Sequence, residues 1–528
     1  MRGLPIGQPD ALGASQDSVN TIVGEPVNSK PSSDQEADRH NPRTDRKVEL
    51  KESHAPDILG FAFSTRRKWS ILSVIFIVQC SMNFNASIYA NGVGFLTDKF
   101  DITAQTARIG QMVFLISYAF GCELWAPWSE ELGRWPTLQL SLLLVNVWQI
   151  PAALANNYTT VVVARLLGGI SSAGGSVTLG MVADMWDSNE QQFAVAFVVF
   201  SSVIGSVIGP LVGPFIESRL SWEWICWSQL IFGLAGQVLH FLFVPETRSS
   251  ILLDREARRL RQSGLIHIYG PSELRENRFS PREIVKTWYR PFEMFVREPI
   301  VLCCSLLSGF SDALIFTFLE AFRPVYKQWD FDTEDMALTF IPIAVGYIIA
   351  YFSYFPTLAK QRRILGKNPD APPELRLKWL LYLAPFETIG LFGFAWTSLG
   401  PPRIHWIAPM LFSMLVGIAN YAIYMSTIDY MIAAYGPYAA SATGGNGLAR
   451  DLLAGVAAIY STPFYTNVPR KDSRLRLEWP TTILGIIAVF VTIPIYVFYW
   501  KGQWFRENSK FAQTLSGERE KNRSEGEA

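Results

Sequence analysis

The chain has 528 residues, of which 49% are hydrophobic and only 17% are charged, and it contains 17 Trp and 35 Phe. Soluble proteins carry about a quarter charged residues, so this composition indicates a polytopic membrane protein. The formal net charge is zero, which gives no basic excess for nucleic-acid binding. All five cysteines lie in apolar runs, so we expect neither disulfides nor a metal, and no cofactor.

Both ends of the chain are polar. Residues 1–65 are rich in Ser, Asp, Glu, Asn and Pro, which is the composition of a disordered tail, and residues 503–528 form a second polar tail. No secretory signal is recognisable before the first apolar run, so the first membrane helix is expected to act as an uncleaved insertion signal.

Apolar windows of about 20 residues, long enough to cross ~30 Å of hydrocarbon, recur twelve times between the tails. The predicted spans are 70–91, 110–128, 137–155, 159–182, 193–216, 225–244, 299–320, 337–356, 379–399, 405–428, 438–462 and 480–500. The pattern predicts an all-α membrane protein with an N-terminal six-helix bundle at 66–246, a central linker at 247–296 and a C-terminal six-helix bundle at 297–502. This organisation is typical of transporters in which two bundles rock about a site at the membrane midplane.

Basic residues predict the orientation, because cytoplasmic loops carry an excess of Lys and Arg. Arg66, Arg67 and Lys68 precede the first span, the linker is rich in Arg, and the segment between the eighth and ninth spans is also basic. All three segments fall on one side, so both termini are expected to be cytoplasmic. The basic loop between the eleventh and twelfth spans is an exception.

The fifth span carries glycines at every fourth position, and two of them are followed by proline. These residues are Gly205, Gly209, Pro210, Gly213 and Pro214. Glycines at this spacing share a helix face and let a neighbouring backbone approach closely, while prolines remove backbone donors and bend a helix. The pattern fits either a packing seam alone or a helix that also bends.

Short motifs suggest a family. Residues 126–136 (Ala-Pro-Trp-Ser-Glu-Glu-Leu-Gly-Arg-Trp-Pro) resemble the loop signature of the major facilitator superfamily, in the form found in fungal twelve-helix drug:proton antiporters. Two positions depart from that form, since Ala126 stands for a Gly and Trp135 for an Arg. Residues 165–169 in the fourth span are similar to the family's Arg-x-x-Gln-Gly, and the fifth span resembles its antiporter motif, with Pro214 at the last Gly.

Further matches occur in the expected order along the chain. They lie at 183–186, 245–248, 297–301, 318–322, 404–407, 438–442 and 446–450. The resemblance runs from about Arg66 to Arg506, and it implies a secondary transporter of the fungal multidrug and toxin efflux clade that exchanges small organic molecules for protons. No Walker-type phosphate-binding motif is present, so ATP is not indicated as the energy source.

Five charged residues are candidates for proton coupling and gating. Arg165 is predicted deep in the fourth span, where an arginine costs ~2.5–3.5 kcal/mol, so it should find a partner in the bundle interior. The resemblance implies that it serves proton coupling, and the alternative is a structural arginine bound to a carbonyl. Glu130, Arg134 and Asp184 are expected to form a charged latch, or a simple loop ion pair. Glu320 matches a family Glu at the end of the seventh span.

Four more carboxylates, Glu123, Asp312, Glu387 and Asp429, lie in or at the ends of predicted spans. Intramembrane carboxylates are candidates for binding protons or cations. The resemblance implies that the first three stand where the family has an uncharged residue, so they are expected to tune cargo. At Asp429 the clade often has Asn.

Polar and aromatic side chains near the midplane complete the predicted cargo cavity. They are Asn83, Asn85, Tyr89, Tyr118, Asn420, Tyr424 and Asn446. For each of them, an interhelical hydrogen bond that only stabilises packing is an alternative.

The sequence therefore predicts a monomeric plasma-membrane transporter that couples protons to efflux of a drug, toxin or secondary metabolite. One alternative is a proton-coupled exporter or importer of a specific metabolite, such as an organic acid or a polyamine. Another is a non-transporting membrane sensor. An enzyme is not expected, because no nucleophile, base and orienting-group set is recognisable.

Overall fold

The computed structural model describes residues 47–172, 174–187, 190–274, 281–368, 371–468, 477–509 and 511–512. Most of both predicted tails, and the basic loop between the last two spans, lie outside the described residues.

The N-terminal half is helical. It comprises α1 (Thr65–Ile88), α2 (Val93–Phe100), α3 (Ala104–Glu131), α4 (Arg134–Ala153), α5 (Tyr158–Ser171), α6 (Gly174–Met185), α7 (Gln191–Arg219) and α8 (Glu223–Phe243). The linker contains α9 (Ser249–Gln262) and α10 (Pro281–Arg297). The C-terminal half comprises α11 (Pro299–Tyr326), α12 (Thr333–Leu338), α13 (Ile341–Lys367), α14 (Lys378–Leu383), α15 (Pro385–Thr397), α16 (Ile407–Tyr435), α17 (Ala439–Asn467) and α18 (Glu478–Glu507).

A helix or a pair of helices coincides with each of the twelve predicted spans. Within the described ranges, nine helical segments are long and apolar enough to cross a membrane. The other three predicted spans correspond to α4, to the α5–α6 pair and to α17. The prediction of one continuous fourth span is wrong, because the chain leaves the helical conformation at Ser172, where φ is −76° and ψ is 123°.

The segment before α1 is folded where the sequence predicts disorder. Strand β1 (Val48–Glu49) pairs in parallel with β2 (Ile268–Tyr269) of the linker. Leu50 and Leu59 are buried with Leu253, Ala257 and Ile268. The tail has too few apolar residues to show the periodicity that would predict a helix or a strand. The amphipathic helix α9 supplies the apolar surface that covers them.

The glycines of α7 form the close contact with α1 that their spacing predicts. A Cβ atom at Gly205 would lie 2.8 Å from the carbonyl oxygen of Cys80, and one at Gly209 would lie 2.7 Å from the backbone nitrogen of Ile88. Gly213 faces the side chain of Asn91, which follows the end of α1. Helix α7 continues without a break through both of its prolines.

The two halves meet along two pairs of surfaces. Helix α3 packs against α17 on one side, and α7 packs against α12, α13 and α16 on the other. Charged and polar groups at these contacts form the candidate site.

Candidate functional site

A cavity of about 350 Å³ lies between the halves at the end that carries the linker, and we call it the inner cavity. It is lined by Cys122, Glu123, Ala126, Glu130, Arg134, Leu179, Gly180, Ala183, Asp184, Gln191, Arg248, Tyr424, Ile428, Ile432, Gly436, Ala439, Ala440, Thr443, Gly444, Asn446, Gly447, Arg450 and Asp451. Of the predicted cargo residues, Glu123, Tyr424 and Asn446 are among these. The wall therefore combines helix ends from both halves.

A second cavity, of about 410 Å³, lies at the opposite end of the same interface, and we call it the outer cavity. Its lining includes Arg108, Pro210, Glu217, Glu320 and Arg323. Opposite ends of α3 and α17 therefore line the two cavities.

Charged pairs join the halves at the outer cavity. Arg108 Nη2 lies 2.8 Å from Glu320 Oε2, and both side chains are about nine-tenths buried, with 10% and 11% exposed. Thr462 also donates to Glu320 Oε2, at 2.9 Å. Arg108 is not among the residues predicted from the sequence, because the predicted second span begins two residues after it.

Two more pairs connect the end of α7 with the C-terminal half. Arg323 Nη2 lies 2.5 Å from Glu217 Oε1, and Arg219 Nε lies 2.9 Å from Glu334 Oε1. Both arginines are more than half exposed, so each pair contributes less than the buried one.

Arg165 lies in the interior of the N-terminal half, with 5% of its surface exposed. Its Nη1 donates to Asn85 Oδ1 at 2.8 Å, and its guanidinium packs 3.9 Å from the ring centroid of Phe114 and 4.7 Å from that of Tyr89. Tyr89 Oη donates to the carbonyl of Ala107. No carboxylate pairs with Arg165 in the described part of the chain, so aromatic rings and an amide stabilise its charge.

The loop motif forms a charged cluster beside the inner cavity. Arg134 Nε donates to Asp184 Oδ2 at 2.9 Å, and Arg134 Nη1 donates to Ser129 Oγ at 2.6 Å. The backbone nitrogen of Arg134 donates to Glu246 Oε1 at 2.9 Å. Glu130 is exposed. The sequence left two partners open for Arg134, and the structure pairs it with Asp184 rather than with Glu130.

A second charged cluster lies in the C-terminal half, where α17 meets α11. Arg450 Nη2 lies 3.3 Å from Asp451 Oδ1, and Arg450 Nε lies 3.9 Å from Asp312 Oδ2. The guanidinium is also 4.3 Å from the ring centroid of Tyr424. The sequence analysis placed Arg450 in a motif but gave it no role, and it overlooked Asp451, although intramembrane charges are a general signal of function.

Asp429 lies outside the cavity walls, contrary to the expectation. Arg376 pairs with its carboxylate, Gln192 Nε2 donates to Oδ2 at 2.9 Å, and Tyr354 Oη donates to Oδ2 at 3.3 Å. Gln192 belongs to the N-terminal half, so Asp429 joins the two halves.

Glu387 is also removed from any open cavity, because it has no exposed surface. Ser311 Oγ donates to its Oε2 at 2.7 Å, and Asn420 Nδ2 donates to the same Ser311 oxygen at 3.1 Å. Glu387 and Asn420 therefore form an interhelical network, which corrects their expected position on the cavity wall.

The remaining predicted cargo residues lie within the N-terminal half. Asn83 Nδ2 donates to the carbonyl of Gln79 at 3.0 Å, and Asn85 and Tyr89 surround Arg165 as described. Tyr118 is buried, with 4% exposed. The Asn83 hydrogen bond stays within α1, and Tyr118 packs in a cluster with Ala313 and Ala454 of the other half.

The Major Facilitator Superfamily model matches residues 75–458. The chain belongs to this superfamily. It is therefore a membrane transporter with an all-α, multi-pass fold, and not an enzyme.

Fungal transporters are among its relatives. The efflux pump atB of Aspergillus terreus is 33% identical over 401 residues, covering 73% of this chain and 81% of the relative. The transporter kojT of Aspergillus flavus is 30% identical over 460 residues, covering 85% of this chain and 79% of the relative. The citrinin biosynthesis cluster transporter mrr1 of Monascus ruber is 28% identical over 455 residues, covering 84% and 88%.

A solved structure supports the fold. The proton:xylose symporter XylE, bound to 6-bromo-6-deoxy-D-glucose, aligns with a TM-score of 0.57 at 18% identity, covering 83% of this chain and 96% of XylE.

Proposed function

We propose that this protein exports small organic compounds, such as drugs, toxins or secondary metabolites, in exchange for protons. The observation that carries the proposal is the pair of cavities at opposite ends of one interface between two helical halves. Alternating access requires the halves to open one cavity while the other closes. The buried Arg108–Glu320 pair is suited to hold the outer end closed.

The direction of transport is supported by relatives named for export. One relative is named an efflux pump and another belongs to a biosynthesis cluster for citrinin. We therefore expect the cargo to be a small organic compound such as a secondary metabolite.

Proton coupling is supported by the ionisable groups at the interface. Arg450 and the two aspartates beside it form a buried cluster within one helix pair, and such clusters mark ion pathways in membrane proteins. Moving one proton through 100 mV supplies about 2.3 kcal/mol. One or two protons per cycle would therefore drive a substantial cargo gradient.

We place both termini in the cytoplasm and the protein in the plasma membrane. The pairing of β1 with β2 supports the first point, since it puts the N-terminal segment on the same side as the linker. The linker is rich in Arg, and basic segments favour the cytoplasmic side.

The test is accumulation of a labelled compound panel in an efflux-deficient yeast that expresses the protein, with and without a protonophore. Expression is expected to lower accumulation of at least one compound, and the protonophore should abolish the effect. Arg165→Ala should abolish it too, while Arg165→Lys, which keeps the charge, should retain part of it. Proton-dependent uptake would replace export with symport. A surface-expressed protein that moves nothing would favour a sensor.

A further inference from the structure

The arginines of the inner cavity are already paired with aspartates. Arg134 lies 2.9 Å and Arg248 3.5 Å from Asp184, and Arg450 lies 3.3 Å from Asp451. Glu123 takes part in no ion pair among the residues that the structure describes. The cavity therefore holds a carboxylate that has no ion-pair partner in the described part of the chain.

The Glu123 carboxylate lies at the contact between the halves. The residue belongs to α3, and 6% of it is exposed. A Cβ atom at Gly444 of α17 would lie 2.5 Å from Glu123 Oε1. The carboxylate thus reaches the opposite half, and it stands where both halves would contact a bound molecule.

Asn446 provides a second hydrogen-bond acceptor in the inner cavity. This residue lines the same cavity and is 1% exposed. Its Nδ2 donates to the carbonyl of Cys304 at 3.4 Å, while its Oδ1 accepts no hydrogen bond from the described residues. A buried acceptor left unpaired is unfavourable, so a ligand that donates to it gains affinity.

The same wall also carries apolar and aromatic surface. Ile428, Ile432 and Leu179 contribute aliphatic surface, and Tyr424 contributes a ring. Arg450 already packs on that ring. A molecule bound here would contact hydrogen-bond acceptors and hydrocarbon on the same wall.

We propose that Glu123 and Asn446 form the cargo subsite for the ammonium group of an amphipathic amine. The ammonium would donate to the Glu123 carboxylate and to Asn446 Oδ1, and the apolar part would contact Ile428 and Ile432. An anionic cargo would place a second negative charge beside Glu123, while Arg134 and Arg248 share Asp184 and Arg450 pairs with Asp451. The inference rests on the proposed function, because it assigns a cargo class to that cavity.

The first experiment compares three labelled arylalkyl probes of equal length in the yeast efflux assay: an amine, an alcohol and a carboxylic acid. The wild type is expected to export the amine best and the acid least. Glu123→Gln keeps the shape and removes the charge, so it should lower amine export at least about tenfold, the loss of one charge-assisted hydrogen bond. Export of the alcohol should change little.

A pair of glycine variants tests the geometry without removing the carboxylate. Gly444→Ala would displace Glu123, whose Oε1 is 2.5 Å from the added Cβ, whereas a Cβ at Gly447 meets nothing within 4 Å. Gly444→Ala is expected to reduce the preference for the amine over the alcohol. Gly447→Ala, on the same helix and the same cavity wall, should keep that preference.

Binding of the labelled amine to the purified protein in detergent gives a readout that does not depend on coupling. Wild-type protein should bind the amine more tightly than the alcohol, and Glu123→Gln should remove that difference. Equal loss of amine and alcohol export in Glu123→Gln, with unchanged binding, would make Glu123 a proton-coupling residue and overturn the proposal. A wild type that exports only the acid would also overturn it, yet export itself would stand. Failure of every probe panel to be exported would instead contradict the proposed function.

Discussion

The guanidinium of Arg108 and the carboxylate of Glu320 lie 2.8 Å apart and join the two halves beside the outer cavity. Arg108 lies near the start of α3, and Glu320 lies in α11. Both side chains are largely buried. When the outer end opens, each charge therefore loses its partner and needs another partner or water to stabilise it.

Glu320→Gln is expected to open the outer end more often. The variant loses a charge-assisted hydrogen bond, which contributes about 1.5–3 kcal/mol, so the open population should rise about tenfold or more. The measurement is the labelling rate of a cysteine introduced at Val93, which lines the outer cavity and is 7% exposed in this structure. The same chain without that cysteine gives the background.

The exchanged pair Arg108→Glu with Glu320→Arg is the control. It restores opposite charges at the interface, so labelling at position 93 should return toward the wild-type rate. A Glu320→Gln variant that labels no faster than the wild type would show that this pair does not hold the outer end closed.

Gly209→Ala is expected to reduce the amount of folded protein. The added Cβ would lie 2.7 Å from the backbone nitrogen of Ile88, which cannot move as a side chain can, and overpacking costs about 1–3 kcal/mol. Thermal unfolding of detergent-solubilised protein measures the change. Gly366→Ala, at a helical glycine where a Cβ meets nothing within 4 Å, should unfold at or slightly above the wild-type temperature.

The sequence predicts contacts that depend on local spacing better than contacts that depend on the fold. The seam of Gly205 and Gly209 follows from a four-residue repeat, so its helix face is set before the chain folds. The pairing of Arg376 with Asp429 joins positions 53 residues apart. No spacing rule selects that partner.

Boundaries explain most of the other differences. Arg108 was missed because the predicted span started after it, and the break at Ser172 was missed because apolar residues continue on both sides. Glu387 was expected on a cavity wall because it is a carboxylate within a predicted span. The sequence alone does not show which face of that helix is directed at the interface between the halves. The polar composition of residues 1–65 likewise predicted disorder for the segment that contains Leu50, which the structure shows folded.

Removing only the arginine of the Arg376–Asp429 pair is expected to destabilise the protein strongly. Arg376→Ala leaves a buried carboxylate that retains its contacts with Gln192 and Tyr354 but no cation. Breaking a buried pair in this way costs about 3–5 kcal/mol. Thermal unfolding should show a lower midpoint than in the wild type.

The double variant Arg376→Ala with Asp429→Asn is the informative comparison. It removes the unpaired charge, so it should unfold at a higher temperature than Arg376→Ala alone. If the double variant is less stable than the single variant, the charge at position 429 is not the source of the loss.

Glu273 of the linker is expected to stabilise the β1–β2 segment in a pH-dependent way. Hydrogen bonds from Arg261 and then Arg258 lower the pKa of this carboxyl from its usual 4.5 to about 2. Because the folded state has the lower pKa, the contribution is complete above about pH 4.5 and is lost as the pH falls toward 2. The amides of Val48 and Leu50 both donate hydrogen bonds across the strand pair. Glu273→Gln should therefore speed hydrogen exchange at these two amides at pH 7.

The exchange difference between Glu273→Gln and the wild type, corrected for intrinsic rates, should be constant from pH 7 to 5 and shrink below pH 4.5. Glu256→Gln is the matched control, because Glu256 is also paired with an arginine of α9, at 3.6 Å, but that arginine is 69% exposed. Such a pair contributes little, so its removal should leave exchange at Leu50 unchanged. An exchange difference that grows on acidification would contradict the lowered pKa, since protonation would then strengthen the segment instead of weakening it.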